Sequence, residues 1–411
     1  VVIGKDTRLS GYMIEAGLQA GFTSAGFYTL LVGPMPTPAV AALTRSLRAD
    51  IGVMISASHN PFQDNGIKLF GADGYKLSDS LELDIEELIL NPDKIQLSKA
   101  DKLGKAVRVD DAMGRYVEFL KQSLPREMGS DGLRVVVDCA NGSAYKIAPK
   151  LLWELGAQVI RIGAEPDGLN INNNCGALHT KRLQKAVIEH GADIGIALDG
   201  DADRLILVDE KGKVLDGDQI MATMAMFLKE QGRLEGDTVV ATQMSNLGLE
   251  KYLQQNGIDL VRTQVGDRYV MEALREGGYT FGGEASGHLI FRDCATTGDG
   301  TLAALQFMLA MRVYGQRASV LGHSFKPFPQ KLENVRLPNG SKAEDFMDAG
   351  AFKDSIKQAE DALNGTGRVL IRKSGTEPLI RVMVEAEKEA DVKAHTAHLV
   401  KSLKGCMAKG R

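Results

Sequence analysis

The sequence predicts an α/β protein of several domains, and three observations predict it. Short β-branched runs flanked by Gly, Asp and Asn alternate with helical patterns along most of the chain, one such run recurs together with the polar loop behind it, and the last stretch departs from the alternation. At 411 residues the chain has room for about two to four domains. Hydrophobic residues make up 44%, enough for ordinary cores, and 49 Lys and Arg against 53 Asp and Glu leave a net charge of −4. A mildly acidic chain lacks the basic face that nucleic-acid and membrane-surface proteins need, so neither partner is expected. No apolar run approaches the roughly 18 residues of a membrane span. Four cysteines (Cys139, Cys175, Cys294 and Cys406) without a C-x-x-C pair point to a reducing compartment, read as the cytoplasm, rather than to a disulfide scaffold.

In chain order, Val1-Val2-Ile3-Gly4 opens inside a strand pattern, and Ile51 to Ile55, Val135 to Val137, Ile194 to Leu198 and Val239-Val240 read as buried strands. Met113, Tyr116, Val117, Leu120 and Leu124 recur at helical spacing up to Pro125 and predict a helix joining two domains. Met221, Met224, Phe227 and Leu228 form the packing face of another helix, with Asp218 as the expected N-cap. A break falls between Gly322 and Pro329. Beyond it, strands are expected at 367–373 and 379–386 around a polar turn, followed by a charged helix whose His395 and His398 are expected in solvent. Cys139 is expected as a buried residue at a strand end.

The repeat is the most informative of these features. Ala49 to Ile55 matches Ala192 to Leu198 in type, which sets Ser56, Ser58 and Asn60 opposite Asp199, Asp201 and Asp203. Gly277 to Glu284 is a fainter third copy. The expectation is three duplicated α/β domains, each with a polar loop at the carboxyl end of an equivalent strand, where open α/β sheets bind their ligands.

In the second of these loops, Asp199-Gly200-Asp201-Ala202-Asp203-Arg204, three carboxylates alternate just after a buried strand. Unpaired, they would repel, and a divalent cation removes that repulsion; an all-oxygen set suits Mg²⁺. An EF-hand is excluded, because Arg204 stands where its glycine belongs and apolar strands flank the loop. A solvated acidic turn is the plainer alternative. In the first loop, Ser56-Ala57-Ser58-His59-Asn60-Pro61, a serine facing a cation would be a natural phosphoryl acceptor, although Ser, Asn and Pro also suit an ordinary turn. The third loop, Gly283-Glu284-Ala285-Ser286-Gly287-His288, offers partners for sugar hydroxyls and an imidazole. Near the C-terminus, Arg372-Lys373-Ser374-Gly375-Thr376-Glu377-Pro378 and Arg381 combine forked cations, hydroxyls and a glycine into a phosphate cradle, or a plain polar hairpin. Lys5 and Arg8 follow the opening strand, and Lys68 lies in Asn65-Gly66-Ile67-Lys68-Leu69.

With these four motifs in this order, the whole chain resembles the α-D-phosphohexomutases. The segments Lys5 to Gly11, Val265 to Tyr269 and Gly375 to Val382 look like the glucosamine branch of that family rather than its mannose/glucose branch. The resemblance implies four domains around a central cleft: three duplicated α/β domains with mixed sheets (1–112, 113–212 and 213–324) and a C-terminal α+β domain (325–411). It implies that Ser58 is a phosphoserine and, with Asp199, Asp201 and Asp203, a ligand of one Mg²⁺. It implies that Glu284, Ser286 and Arg204 bind the sugar, and that Arg372, Ser374, Gly375, Thr376 and Arg381 hold the phosphate that is not reacting. Arg8, Lys68 and His288 would stand near the moving phosphoryl group. The implied reaction interconverts glucosamine 6-phosphate and glucosamine 1-phosphate through a bisphosphate, feeding UDP-N-acetylglucosamine and cell-wall synthesis, with glucose- or glucosamine-bisphosphate as activator. A homodimer and an agent that first phosphorylates Ser58 are implied partners. Members usually begin with a further strand and glycine-rich loop upstream of Val1, so the first sheet is expected to show an incomplete edge. The rivals are a phosphomannomutase/phosphoglucomutase with the same chemistry, a metal-dependent sugar-phosphate phosphatase, and a non-catalytic sugar-phosphate binding protein.

Overall fold

The computed structural model describes residues 1–127, 129–338, 341–374 and 377–409. They divide into two compact units: the described residues of 1–245 with 253–324, and those of 246–252 with 325–409.

The larger unit contains three mixed sheets. The first joins β1 (Val2–Lys5), β2 (Thr29–Pro34), β3 (Ile51–Ile55), β4 (Ile67–Gly71) and β5 (Ala106–Arg108) in the order β4-β3-β1-β2-β5. The second joins β6 (Arg134–Asp138), β7 (Gln158–Ile162), β8 (Ile194–Leu198), β9 (Leu205–Asp209) and β10 (Val214–Leu215) in the order β10-β9-β8-β6-β7. The third joins β11 (Thr238–Thr242), β12 (Asp259–Thr263), β13 (Phe281–Gly283) and β14 (Leu289–Phe291) in the order β12-β11-β13-β14.

One plan recurs in all three sheets. A central strand (β1, β6 or β11) pairs in parallel with its successor on one side and with a third strand on the other. That third strand (β3, β8 or β13) then turns back into an antiparallel partner. The repeated sequence runs are β3 and β8, and the fainter copy ends in β13. The three polar loops are therefore the same connection in three domains. In the first sheet β1 is central, and the edges are β4 and the short, exposed β5.

Burial explains why these runs are strands. β8 and β9 are buried at every position, so both faces of the second sheet are covered and the runs are apolar up to Asp209 at the end of β9 instead of alternating. The helix Gly300–Tyr314 is buried along its first twelve residues, starts on the Asp299 side chain and ends at Gly315 in the left-handed conformation. The joining helix spans Ala112–Lys121 with Tyr116, Val117 and Leu120 buried; Leu124 lies beyond its end. In the helix Gly217–Glu230 the four expected core residues are buried, but the N-cap is Asp216 rather than Asp218. Asp216 has the extended backbone of a cap and accepts from the Gln219 amide at 2.9 Å, whereas Asp218 already sits in the first turn.

The smaller unit is an antiparallel sheet of β15 (Gln330–Arg336), β16 (Gly367–Lys373) and β17 (Leu379–Ala386), in the order β15-β17-β16. The helix Glu389–Lys409 follows β17. Its Val392, Leu399 and Leu403 share a core with Ile380, Val382 and Val384. His398 is exposed as expected; His395 is half-buried, because it lies next to the buried Thr396 on the side facing the sheet. Cys139 is fully buried just past β6. No described helix is long and apolar enough to cross a membrane.

Candidate functional site

The serine loop leaves β3 at Ile55. Ser58 takes a left-handed backbone (φ 49°), unusual for a residue with a side chain, and its surroundings over-determine that conformation. Its amide donates to Ser56 Oγ at 2.9 Å. Its carbonyl accepts from Asn172 Nδ2 at 2.9 Å and from Arg8 Nη2 at 3.3 Å. The fully buried Arg8 guanidinium also donates to the Asn60 carbonyl at 2.6 Å and pairs with Asp6. Arg8 thus grips the backbone beneath the serine. The Ser58 hydroxyl is left to donate to Asp199 Oδ2 at 2.6 Å.

The acidic loop leaves β8 at Leu198. One oxygen each of Asp199, Asp201 and Asp203 lies within 4.8 Å of the others, and all three residues are buried. Burial, with Asp203 and Asp201 close by, pushes the Asp199 carboxyl well above the usual range. Lys68, from β4, donates to Asp201 at 2.6 Å and to Asp203 at 2.9 Å. Its burial acts to lower the ammonium, but the two carboxylates outweigh it and hold the amine charged. Thr37 donates its hydroxyl to Asp201 and its amide to the Asp201 carbonyl, the latter at 2.9 Å. Gly200 lets the two loops meet: a Cβ there would stand 2.6 Å from the Ser58 carbonyl oxygen and 2.8 Å from Asn172 Nδ2.

The third loop leaves β13 at Gly283. Glu284 accepts from the Gly266 amide at 3.2 Å and from Ser286 Oγ at 3.4 Å, and Ser286 is exposed. His288 pairs its backbone with Arg204 and is itself buried. Its Nδ1 lies 3.8 Å from Asp203 and its Nε2 lies 3.7 Å from Asp267. Burial acts to lower the imidazole, and the two carboxylates more than reverse it. Arg204 Nε approaches Asp203 at 3.9 Å without a hydrogen bond.

In the smaller unit, Arg372 and Arg381 are direct partners across β16 and β17. The Nε of each is buried and has no hydrogen-bond partner among the described residues. Burial and then the neighbouring Arg381 lower the Arg372 guanidinium. Two guanidinium groups side by side form an anion-seeking pair. Ser374 Oγ accepts from the Glu377 amide at 3.3 Å. Gly375 and Thr376 lie outside the described residues.

The larger unit therefore gathers Arg8, Ser58, Lys68, Asp199, Asp201, Asp203, Arg204 and His288 into one connected set, with Glu284 and Ser286 on the same loop as His288. Reading the residues alone missed four members. Asp6 and Asn172 hold the serine loop, Thr37 holds Asp201, and Asp267 faces His288.

Residues 1–96, 114–212, 216–328 and 332–402 match, in that order, the three alpha/beta/alpha domains and the C-terminal domain of phosphoglucomutase/phosphomannomutase. The chain belongs to that family, and is an intramolecular phosphotransferase that acts on a sugar phosphate. Within the family it is similar to the phosphoglucosamine mutases: 60% identical to that of Rhodopseudomonas palustris over 94% of this chain and 85% of the relative, and 59% identical to that of Sphingopyxis alaskensis over 95% and 87%. A phosphoglucomutase/phosphomannomutase family protein of Burkholderia thailandensis has the same fold at 22% identity, with a TM-score of 0.81 over 98% of this chain and 89% of that one. So does the N-acetylphosphoglucosamine mutase of Aspergillus fumigatus, solved with GlcNAc-6P and magnesium, at 20% identity and a TM-score of 0.69 over 90% and 93%.

Proposed function

We propose that the chain interconverts glucosamine 6-phosphate and glucosamine 1-phosphate through a phosphorylated Ser58 and a bisphosphate intermediate. The observation that supports this most is the Ser58 hydroxyl 2.6 Å from Asp199, inside a group of three buried carboxylates. That group fits one Mg²⁺: the ligands are all oxygen, and among the described residues the buried Asp201 Oδ1 and Asp203 Oδ1 have no hydrogen-bond partner. Asp199, Asp201, Asp203 and the Ser58 phosphate would hold the ion, which when bound neutralises charge on the transferring group.

The sugar 1-hydroxyl attacks the phosphorus on Ser58; a new oxygen–phosphorus bond forms at carbon 1 and the bond to Ser58 Oγ breaks. After the bisphosphate turns over, Ser58 Oγ takes the phosphoryl group from carbon 6. The proton lost from the 1-hydroxyl is matched by one returned to the 6-hydroxyl, so one group serves both steps. We assign that duty to His288. Lys68 stays charged and faces the phosphoryl group, and Arg8 fixes the serine loop from below. Glu284, Ser286 and Arg204 bind the sugar, while Arg372, Ser374, Gly375, Thr376 and Arg381 hold the idle phosphate. The same reading takes 1–112, 113–212, 213–324 and 325–411 as the four domains, one per loop. It includes a cytoplasmic location, a homodimer, a bisphosphate activator and a separate agent that phosphorylates Ser58.

Comparing kcat/KM for glucosamine, mannose and glucose 6-phosphates tests the substrate. Glucosamine 6-phosphate is expected to be fastest; a faster mannose or glucose compound would make the chain a phosphomannomutase/phosphoglucomutase.

A further inference from the structure

His288 is enclosed on three sides. Asp203 lies against Nδ1 at 3.8 Å, and Asp267 lies against Nε2 at 3.7 Å. Gly298 covers the ring, where a Cβ would stand 2.5 Å from Cε1 and 2.6 Å from Cδ2. Among the described residues Nε2 has no hydrogen-bond partner although it is buried. A cavity of about 530 Å³, lined by Tyr75, Lys76, Asp267, Arg268 and Thr297 among others, reaches the ring on the Asp267 side.

Asp267 is itself firmly placed. It opens the helix Asp267–Glu276 and forms an ion pair with Lys76. The next residue, Arg268, pairs with Asp79, with Glu82 at 2.9 Å, and with the Leu77 carbonyl at 3.2 Å. Near the other end of the same helix, the Arg275 guanidinium lies 4.4 Å over the Tyr75 ring. These contacts fix the start of that helix against residues 75–82, and with it the carboxylate that faces Nε2.

We propose that Asp267 is the positioning residue for His288, with Lys76 holding its carboxylate and Gly298 leaving room for the ring. This rests on the catalytic duty given to His288 above. A carboxylate on each side fixes the ring's rotation, and its charge favours whichever ring proton faces it. Loss of a carboxylate that orients a metal-binding histidine costs about 10- to 100-fold, and a loss of that order is expected here.

Asp267→Asn keeps the shape and removes the charge. The expected result is a fall in kcat of about 10- to 100-fold with KM within about twofold. Asp267→Glu is expected to recover part of that loss. Gly298→Ala, which pushes on the ring from its face, is expected to lower kcat in the same way. A wild-type kcat in Asp267→Asn, or a raised KM with kcat unchanged, would overturn the proposal. A second readout does not depend on turnover: the ¹H–¹⁵N signals of the His288 ring, assigned with a His288→Asn variant. In Asp267→Asn the Nε2 signal is expected to move, and an unmoved signal would overturn the proposal. If the wild-type chain converts no sugar phosphate, the mutase reading fails on its own, and the ring signal still decides the role of Asp267.

Discussion

The Ser58 hydroxyl and the Asp199 carboxylate, 141 residues apart in the chain, meet at 2.6 Å. Each sits at the end of the equivalent strand of its own sheet, so the contact is a product of duplication: two copies of one loop facing each other with different side chains. A hydroxyl beside three carboxylates has little use on its own. A hydroxyl that will carry a phosphoryl group beside a cation site does.

Ser58→Ala removes the acceptor and leaves the acidic loop in place. Mutase activity should fall on the order of 10⁴-fold or more, as when a nucleophile is lost elsewhere. Phosphate should no longer be found on the intact chain by mass spectrometry. Retained turnover would place the acceptor elsewhere.

Asp199→Asn should act in opposite directions with and without metal. Burial together with Asp203 and Asp201 raises the Asp199 carboxyl, so removing its charge relieves repulsion and should raise the melting temperature of metal-free protein. Mg²⁺ at about 100 times its Kd should stabilise the wild type by ~2.7 kcal/mol and the variant far less. Calorimetric melts with chelator and with Mg²⁺ read both effects.

Gly200→Ala would drive a methyl group into the Ser58 carbonyl and the Asn172 amide. Displacing the serine loop by a fraction of an ångström to 1 Å should lower kcat by up to about 10²-fold. The far-UV circular dichroism should stay unchanged, because the sheets on either side are untouched. Unchanged kcat would show that the loop position is not limiting.

Asp299 gives a pH prediction. Burial raises its carboxyl from about 3.8 to about 6, against the opposing bonds from Tyr116 and the amides of Leu302 and Thr301. A raised carboxyl binds its proton more tightly in the folded state. Its contribution to stability is therefore full below its unfolded value and is lost as pH rises through the folded one. Asp299→Asn lacks that loss, so between pH 4 and 7 it should gain about 2 kcal/mol relative to wild type. Urea midpoints at the two pH values measure the difference, and parallel curves would contradict it.

Arg372→Ala should raise KM for the sugar phosphate about tenfold and change kcat less, because a guanidinium holding an idle phosphate contributes to binding. Initial rates against substrate concentration separate the two.

What the sequence revealed was local. The loops at 56–61, 199–204 and 283–288 could be read because their residue types follow buried strands directly, and the repeat of Ile51–Ile55 in Ile194–Leu198 announced that they were related. The strands at 367–373 and 379–386 were legible for the same reason. What escaped was set by distant contacts. Asn172 looks like any loop asparagine until its amide reaches the Ser58 carbonyl 114 residues away. Thr37 shows its bond to Asp201 only in the folded chain. Arg8 is expected near the moving phosphoryl group, and the contacts of its guanidinium with Asp6 and with the carbonyls of Ser58 and Asn60 appear only in the folded chain. The cap at Asp216 was misplaced by two residues because both aspartates suit a helix start, and only backbone angles separate them.

Phosphorus NMR of the phosphorylated protein with Mg²⁺ and glucosamine 6-phosphate shows which oxygen receives the phosphoryl group of Ser58. A glucosamine 1-phosphate signal is expected to grow with no comparable inorganic phosphate. Inorganic phosphate as the main product would contradict it, since water rather than the sugar would then be receiving the phosphoryl group of Ser58.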